Sequence, residues 1–209
     1  GYIADTAVTV NYDPEYDLLV QTAEDALQKA MSMIKVGVNA KDVGRAIQKT
    51  ITDMGFKPIA NLSGHSLDQY TIHAGKTVPN TWTISSFSFS DNDVFACEPF
   101  VTTKNGLGYV RNGKIKNIYA LVARKKTKDE EADRLLEYIW NNFNMLPFAL
   151  RWLVKEWEEK EARELLDFLV KKKAVHAYAI LVEANGQRVS QAEHTFIPTQ
   201  TGVTVTTVG

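Results

Sequence analysis

The sequence predicts an α+β protein, and three observations predict it. A β-branched opening segment leads into two amphipathic helical patterns. A middle stretch then strings short β-branched and aromatic runs between glycines and asparagines. A helical block finally separates that stretch from closing strands.

Residues 2–11, rich in Val, Ile, Thr and Tyr, read as a strand. Asp13-Pro14 breaks it and opens a helix over 14–35, on which Leu18, Leu19, Ala23, Ala26, Leu27, Ala30 and Ile34 recur at helical spacing. Gly37 ends that helix. Asn39 caps a second one, with Asp42 in its first turn and Val43, Ala46, Ile47 and Ile51 as its buried stripe, and Gly55 closes it. Runs at 81–90, 94–101, 108–110 and 118–122 predict strands of a mixed or antiparallel sheet, with a hairpin turn at Asn112-Gly113. Thr127 suits a helix cap. Residues 128–172 read as helical, broken at Leu146-Pro147, with three apolar stripes around Leu135, Trp152 and Leu165. Three short helices of this kind make a small lobe, and core packing accounts for the aromatics Trp140, Trp152, Trp157 and Phe168. Strands at 177–183 and 187–195 flank the strong turn signal Asn185-Gly186, and 202–208 reads as a final strand.

A chain of 209 residues, 44% hydrophobic, suffices for one sizeable core with a smaller appended lobe. Its 24 basic and 25 acidic side chains leave a net charge of -1, which gives no support to bulk nucleic-acid or membrane-surface binding, so neither DNA nor membrane is expected as a partner. The basic run Arg124-Lys125-Lys126-Thr127-Lys128 reads as a solvated helix start rather than a phosphate site. The single cysteine, Cys97, cannot form an internal disulfide, which fits a reducing, cytoplasmic compartment; it reads as a small buried residue. No apolar run reaches the roughly 18 residues of a membrane span, and no charged-then-apolar leader is seen. The opening Gly1-Tyr2-Ile3 lies within a β-rich run and reads as the continuation of a longer polypeptide.

Four histidines are present, and His65 and His73 lie close together in Asn61-Leu62-Ser63-Gly64-His65-Ser66 and Ile72-His73-Ala74-Gly75-Lys76. Imidazole is a good ligand for divalent first-row metals, and a neighbouring glycine lets the backbone approach closely. The spacing alone serves a structural or surface pair equally well. Glu98, in Val94-Phe95-Ala96-Cys97-Glu98-Pro99-Phe100, is a carboxylate in an apolar strand, costly to bury unless paired or ligating a cation, and Pro99 marks a strand end. Glu193 and Asp5 occupy similar settings. Singly, each is more readily structural, as a hairpin, turn or edge residue. Together they form a carboxylate-rich set with one imidazole, of the kind that bridges two divalent metals.

The runs Ile3-Ala4-Asp5-Thr6-Ala7, Asn61-Leu62-Ser63-Gly64-His65-Ser66, Ile72-His73-Ala74-Gly75-Lys76-Thr77-Val78-Pro79, Ala96-Cys97-Glu98-Pro99-Phe100 and Ala192-Glu193-His194-Thr195 resemble the type II methionine aminopeptidases, most of all the archaeal branch. Phe143-Asn144-Met145-Leu146-Pro147-Phe148 and Arg151-Trp152-Leu153 are similar to that family's helical insertion. The resemblance implies the pita-bread (creatinase/aminopeptidase) fold, incomplete at its N-terminus, with a catalytic domain over 1–126 and 174–209 and an insertion subdomain over 127–173. It implies two divalent metal ions, cobalt, manganese, iron or zinc. Asp5 and Glu193 would bridge them, His65 and Glu98 would bind one of them, and Glu193 would also act as base. His73 would contact the scissile peptide, and Ile72 would wall the methionine pocket. The substrate would be a peptide or nascent-protein N-terminus. The family's fifth ligand, an aspartate about eleven residues before Asp5, would fall upstream of Gly1, so a fragment is expected, or a separate chain that supplies the remainder. Rivals are a proline-specific or creatinase-like relative, and a non-catalytic homologue binding ribosomes, RNA or proteins.

Overall fold

The computed structural model describes residues 1–84 and 86–208. In chain order its elements are β1 (Ala7–Val8), α1 (Asp17–Met33), α2 (Ala40–Asp53), β2 (Lys57–Pro58), β3 (Ser63–Leu67), β4 (Thr77–Pro79), β5 (Val94–Cys97), β6 (Phe100–Thr102), β7 (Val110–Leu121), α3 (Glu130–Phe143), β8 (Phe148–Ala149), α4 (Glu159–Lys171), β9 (Val175–Glu183), β10 (Val189–Pro198) and β11 (Val203–Val205). They fall into two compact units, Gly1–Arg111 with Val182–Gly209, and Asn112–Leu181.

The first unit is an antiparallel sheet with β10 as its spine. β5 and β6 follow one edge of β10, and β1 and β11 the other. β3 and then β4 extend the sheet beyond β5, and β2 extends it beyond β6. The helices cover one face. The Asp13 carboxylate accepts from the Glu15 N–H at the turn that precedes α1, and the Asn39 side chain accepts from the Lys41 N–H at the start of α2. Alanines 23, 26 and 30 on α1 and Val43, Ile47 and Ile51 on α2 are fully buried. They share a core with Phe89, Phe95, Cys97, Ala192 and Phe196 of the sheet side. Small residues on α1 allow close packing there, and Phe95 and Phe196, paired across β5 and β10, stack at 5.7 Å between centroids.

The second unit joins a three-stranded sheet, ordered β8-β7-β9, to α3 and α4. Leu135, Ile139, Leu153, Trp157, Leu166 and Leu169 form its core. Asp129 caps α3, accepting from the Ala132 N–H, two residues beyond the cap expected at Thr127. The middle of the three expected helices is only a 3-10 turn, Leu150–Trp152, and Trp152 stays 45% exposed. Arg124 of the basic run lies over the Trp140 ring, 4.8 Å from its centroid.

Three local expectations fail for identifiable reasons. Among the described residues of 81–90 there is no strand. The backbone there pairs with the connection between the helices: Phe89 C=O accepts from Gly37 N–H, Phe87 C=O from Ala40 N–H, and Phe89 N–H donates to Val38 C=O. Ser85 lies outside the described residues. Asn112-Gly113 is no turn but sits within β7. A Cβ on Gly113 would lie 2.7 Å from Ile180 Cγ1 and 3.1 Å from Ile180 O, so this glycine permits close strand approach. Asn185-Gly186 does form a turn, with Gly186 at φ +76, yet β9 and β10 on either side belong to different sheets and do not pair.

That turn is fastened by Glu183, which is 3% exposed. Its carboxylate accepts from the backbone N–H groups of Leu107, Asn185 and Gln187. Burial acts to raise its pKa, but these N–H donors outweigh burial and hold it below the ordinary carboxylate value. Such a group contributes stability above its unfolded pKa, and that contribution is lost as pH falls through the folded one. Glu183→Ala should lower the thermal midpoint at neutral pH by several degrees. The difference from the unsubstituted chain should shrink as the medium is acidified below the carboxylate range, as read by calorimetry.

Candidate metal centre

The geometry of the site follows from strand register. His65 on β3 pairs with Ala96 on β5, and Ala96 pairs with Thr195 on β10. On the far edge of β10, Ala7 of β1 pairs with Glu193. Two residues before Ala7 the chain has left the ladder, and the Asp5 N–H donates to the Thr195 side chain, at 2.7 Å from its Oγ1. His194 pairs with Cys97 and Gln191 with Phe100, one register continuing across Glu98-Pro99, so Glu98 stands opposite Glu193. Residues directly opposed across strands share a face, and residues two apart on one strand share it too. Thr195, Ala96 and His65 therefore make one row, and the Thr195 hydroxyl holds Asp5 at its end. Glu193 and Glu98 stand in the next row on the same face. The other face carries Phe95, Cys97, Ala192 and Phe196 into the helix-covered core.

The donor atoms converge. One ligand atom each from Asp5, His65 and Glu193 lie within 4.8 Å of one another. His65 Nε2 is 3.6 Å from Asp5 Oδ2 and 3.4 Å from Glu98 Oε1. Ala96, the smallest side chain in its row, leaves the space between His65 and Thr195 open. Gly64 brings β3 close: a Cβ there would collide with the Ala96 carbonyl oxygen, which is backbone and cannot swing away. Gly64→Ala should therefore push β3 off β5 and weaken divalent-metal binding along with the thermal midpoint.

His73 sits edge-on to His65, centroids 4.4 Å apart, and its side chain is exposed; Ile72 is half-buried. Neither lines the 710 Å³ cavity that adjoins the centre, whose apolar wall is formed by Ile3, Leu67, Val94 and Ile197, the next row along the same face. The remaining histidines stand apart. His194 Nδ1 is 2.9 Å from Thr207 Oγ1, and the His176 ring meets Tyr178.

Electrostatics single out the same cluster. Burial, then Glu193 and Asp5, raises Glu98 from 4.5 to about 9. Burial, then Asp5, raises Glu193 from 4.5 to about 7. Burial, then His73, lowers His65 against the raising influence of Asp5, which favours the neutral ligating imidazole. Burial, with Glu98 and Glu193 behind it, keeps the Cys97 thiol protonated. Buried and partly buried carboxylates that repel each other beside a neutral imidazole are a donor set that a divalent cation suits.

Two residues that sequence reasoning missed complete the surroundings. Gln191 Nε2 donates to Glu98 Oε2 at 3.3 Å and to Glu193 Oε2 at 3.2 Å. Asn80, 1% exposed, donates to the carbonyls of Leu62 and Glu98 and so ties the chain just before β3 to Glu98. The signal for Gln191 was its position two residues before Glu193 on a strand, which puts both on one face.

The sequence model of Metallopeptidase family M24 matches residues 1–119. The methionine aminopeptidase of Thermococcus kodakarensis is 42% identical over 208 residues, and that of Methanocaldococcus jannaschii 39% over 207, each alignment covering 99% of this chain. The chain belongs to metallopeptidase family M24. It is similar to the archaeal methionine aminopeptidases and spans 70% and 69% of those two relatives. Solved structures share its fold. A thermophilic Arx1 superposes with TM-score 0.72 at 15% identity, covering 96% of this chain and 62% of that one. The methionine aminopeptidase of Thermotoga maritima superposes with TM-score 0.60 at 20% identity, covering 97% and 57%. The pita-bread α+β architecture is thus that of this M24 chain. Among its described residues no helix is long and apolar enough to cross a membrane.

Glu98 and Glu193 bind their protons more tightly in the fold than in the unfolded chain, so they stabilise it below the ordinary carboxylate value. That contribution is lost as pH rises, through about 7 for Glu193 and about 9 for Glu98. With chelator present, the thermal midpoint should fall between about pH 5 and 9 through these groups, and added Mn²⁺ or Co²⁺ should restore it at the alkaline end. A midpoint that no cation moves at pH 8 would count against the centre.

Proposed function

We propose that this M24 chain carries the metal centre of a type II methionine aminopeptidase, which releases the initiator methionine from peptides and nascent proteins in the cytoplasm. The observation that carries the reading is the convergence of Asp5, His65, Glu98 and Glu193 on one sheet face. Asp5 and Glu193 would bridge two divalent ions, with His65 and Glu98 completing one of them; cobalt, manganese, iron and zinc all suit such donors. Ions bound there would polarise a peptide carbonyl and bring the pKa of a bound water towards neutrality.

The chain's own groups do the rest. Glu193, buried beside Asp5, accepts a proton at its carboxylate and returns it to the departing amine. Gln191 holds the Glu98 and Glu193 carboxylates at a fixed spacing. His73, exposed next to His65, would hydrogen-bond the scissile peptide, and Ile72 would wall the thioether from outside the cavity lined by Leu67, Val94 and Ile197. We assign the expected helical insertion, 127–173, to the second unit, Asn112–Leu181, which adds the flanking strands β7 and β9. A non-catalytic homologue would have no need of four donors on one face, and the likeness to Arx1 is one of fold.

Once joined to the upstream segment that the resemblance expects to carry the fifth ligand, the metal-loaded protein should release methionine from peptides beginning Met-Gly, and Glu193→Gln should cut its kcat about a hundredfold or more. Cleavage restricted to Xaa-Pro peptides would overturn the assignment in favour of a proline-specific relative.

A further inference from the structure

Three of the proposed ligands stand on strands with well-formed ladders or directly beside them, but Asp5 does not. β1 is only Ala7–Val8, and Asp5 precedes it in a segment whose neighbours Tyr2 and Val8 are 83% and 72% exposed. Beside it Thr6 Oγ1 donates to the Glu193 C=O, but among the described residues the Asp5 main chain itself is bonded by one side chain. Thr195 Oγ1 accepts from the Asp5 N–H and donates to the Asp5 C=O, both at 2.7 Å, so one hydroxyl satisfies both main-chain groups of the ligand residue.

Thr195 is itself fixed. It is 1% exposed. Its N–H donates to Thr207 Oγ1 at 3.1 Å, and its C=O accepts from the Thr206 N–H at 2.9 Å and from Thr206 Oγ1 at 3.3 Å. The same device recurs at the other end of β1, where Thr9 Oγ1 accepts from the Gln191 N–H and donates to the Gln191 C=O, each at 2.8 Å. Threonine hydroxyls thus take the place of ladder hydrogen bonds on both sides of the two-residue strand.

We infer that Thr195 is the positioning residue for Asp5: its buried hydroxyl grips the Asp5 main chain and sets the carboxylate at coordination distance from His65 and Glu193. The inference rests on the metal-centre reading above. Valine keeps the shape of threonine but removes both bonds, leaving the Asp5 N–H and C=O without this partner. Serine keeps the hydroxyl. Outer partners that orient a metal ligand are worth about ten- to a hundredfold in metal affinity.

The test is a Co²⁺ titration of the full chain followed by visible absorption, with near-UV circular dichroism as the check of fold. Thr195→Val should bind Co²⁺ about tenfold or more weakly with an altered band pattern, and Thr195→Ser should bind as the unsubstituted chain does. The decisive step is a double-mutant cycle with Asp5→Asn. If Thr195 acts through the Asp5 carboxylate, Thr195→Val should cost little further affinity in the Asp5→Asn background. Thr195→Ala provides a second removal of the hydroxyl should the valine misfit. Equal losses in both backgrounds, or no loss in either, would overturn the positioning role alone. Absence of any Co²⁺ spectrum from the unsubstituted chain would overturn the metal-centre reading itself.

Discussion

The constraint on which the rest depends is the register of β10 against the strands on its two edges. Side chains on a strand alternate between faces, so slipping β10 by one residue against β5 would send Glu193 into the helix-covered core and Phe196 out towards the site. The stacked pair Phe95–Phe196 resists such a slip, because it fills the core only when the two residues are directly opposed. Apolar packing on one face thereby decides which carboxylates meet on the other. The chemistry of the centre is in this sense fixed by phenylalanines that never touch it.

That arrangement creates an electrostatic problem which the fold does not solve with its own charges. Glu98 and Glu193 face each other across one strand pair, both largely desolvated, with Asp5 beside them. No lysine or arginine forms an ion pair with any of the three among the described residues. Glu183 shows what the same fold does with a carboxylate meant to stay ionised on its own: three backbone N–H groups converge on it, and its pKa falls. The contrast is between a carboxylate satisfied by the protein and a set left for a cation. A divalent cation bound there would relieve a repulsion that protonation otherwise relieves.

Much of this was legible in the sequence, and the parts that were not have a common cause. The helices carried period and caps in their own residues, as Asn39 and Gly55 illustrate, and the proposed ligand residues stood out as acids and imidazoles among apolar neighbours. What local pattern cannot carry is pairing between distant segments. Asn112-Gly113 has the composition of a turn, but Ile180, 67 positions away, gives the glycine a packing role. Residues 81–90 have the composition of a strand, but the α1–α2 connection takes up their backbone groups. Gln191 and Thr195 look like ordinary strand polars until the register sets them against Glu98 and Asp5. Local chemistry singled out the candidate donors, whereas tertiary pairing chose the groups that contact them.

A long excursion between β6 and β10 is a source of slack in that register, because the chain leaves the first unit at Arg111 and returns only at Val182. Loop-closure entropy grows slowly with length, so distance in sequence matters less than how the ends are joined. Here they are joined tightly. The Ala184 N–H donates to Tyr109 C=O, the Asn185 side chain to Asn105 C=O, and the Leu107 N–H to Glu183. The outgoing and returning strands are thus tied together just before β10 begins. For the sheet, the connection behaves as a short one whose closure is set by Glu183 and its neighbours, and a seventy-residue unit can occupy it without shifting Glu193 relative to Glu98.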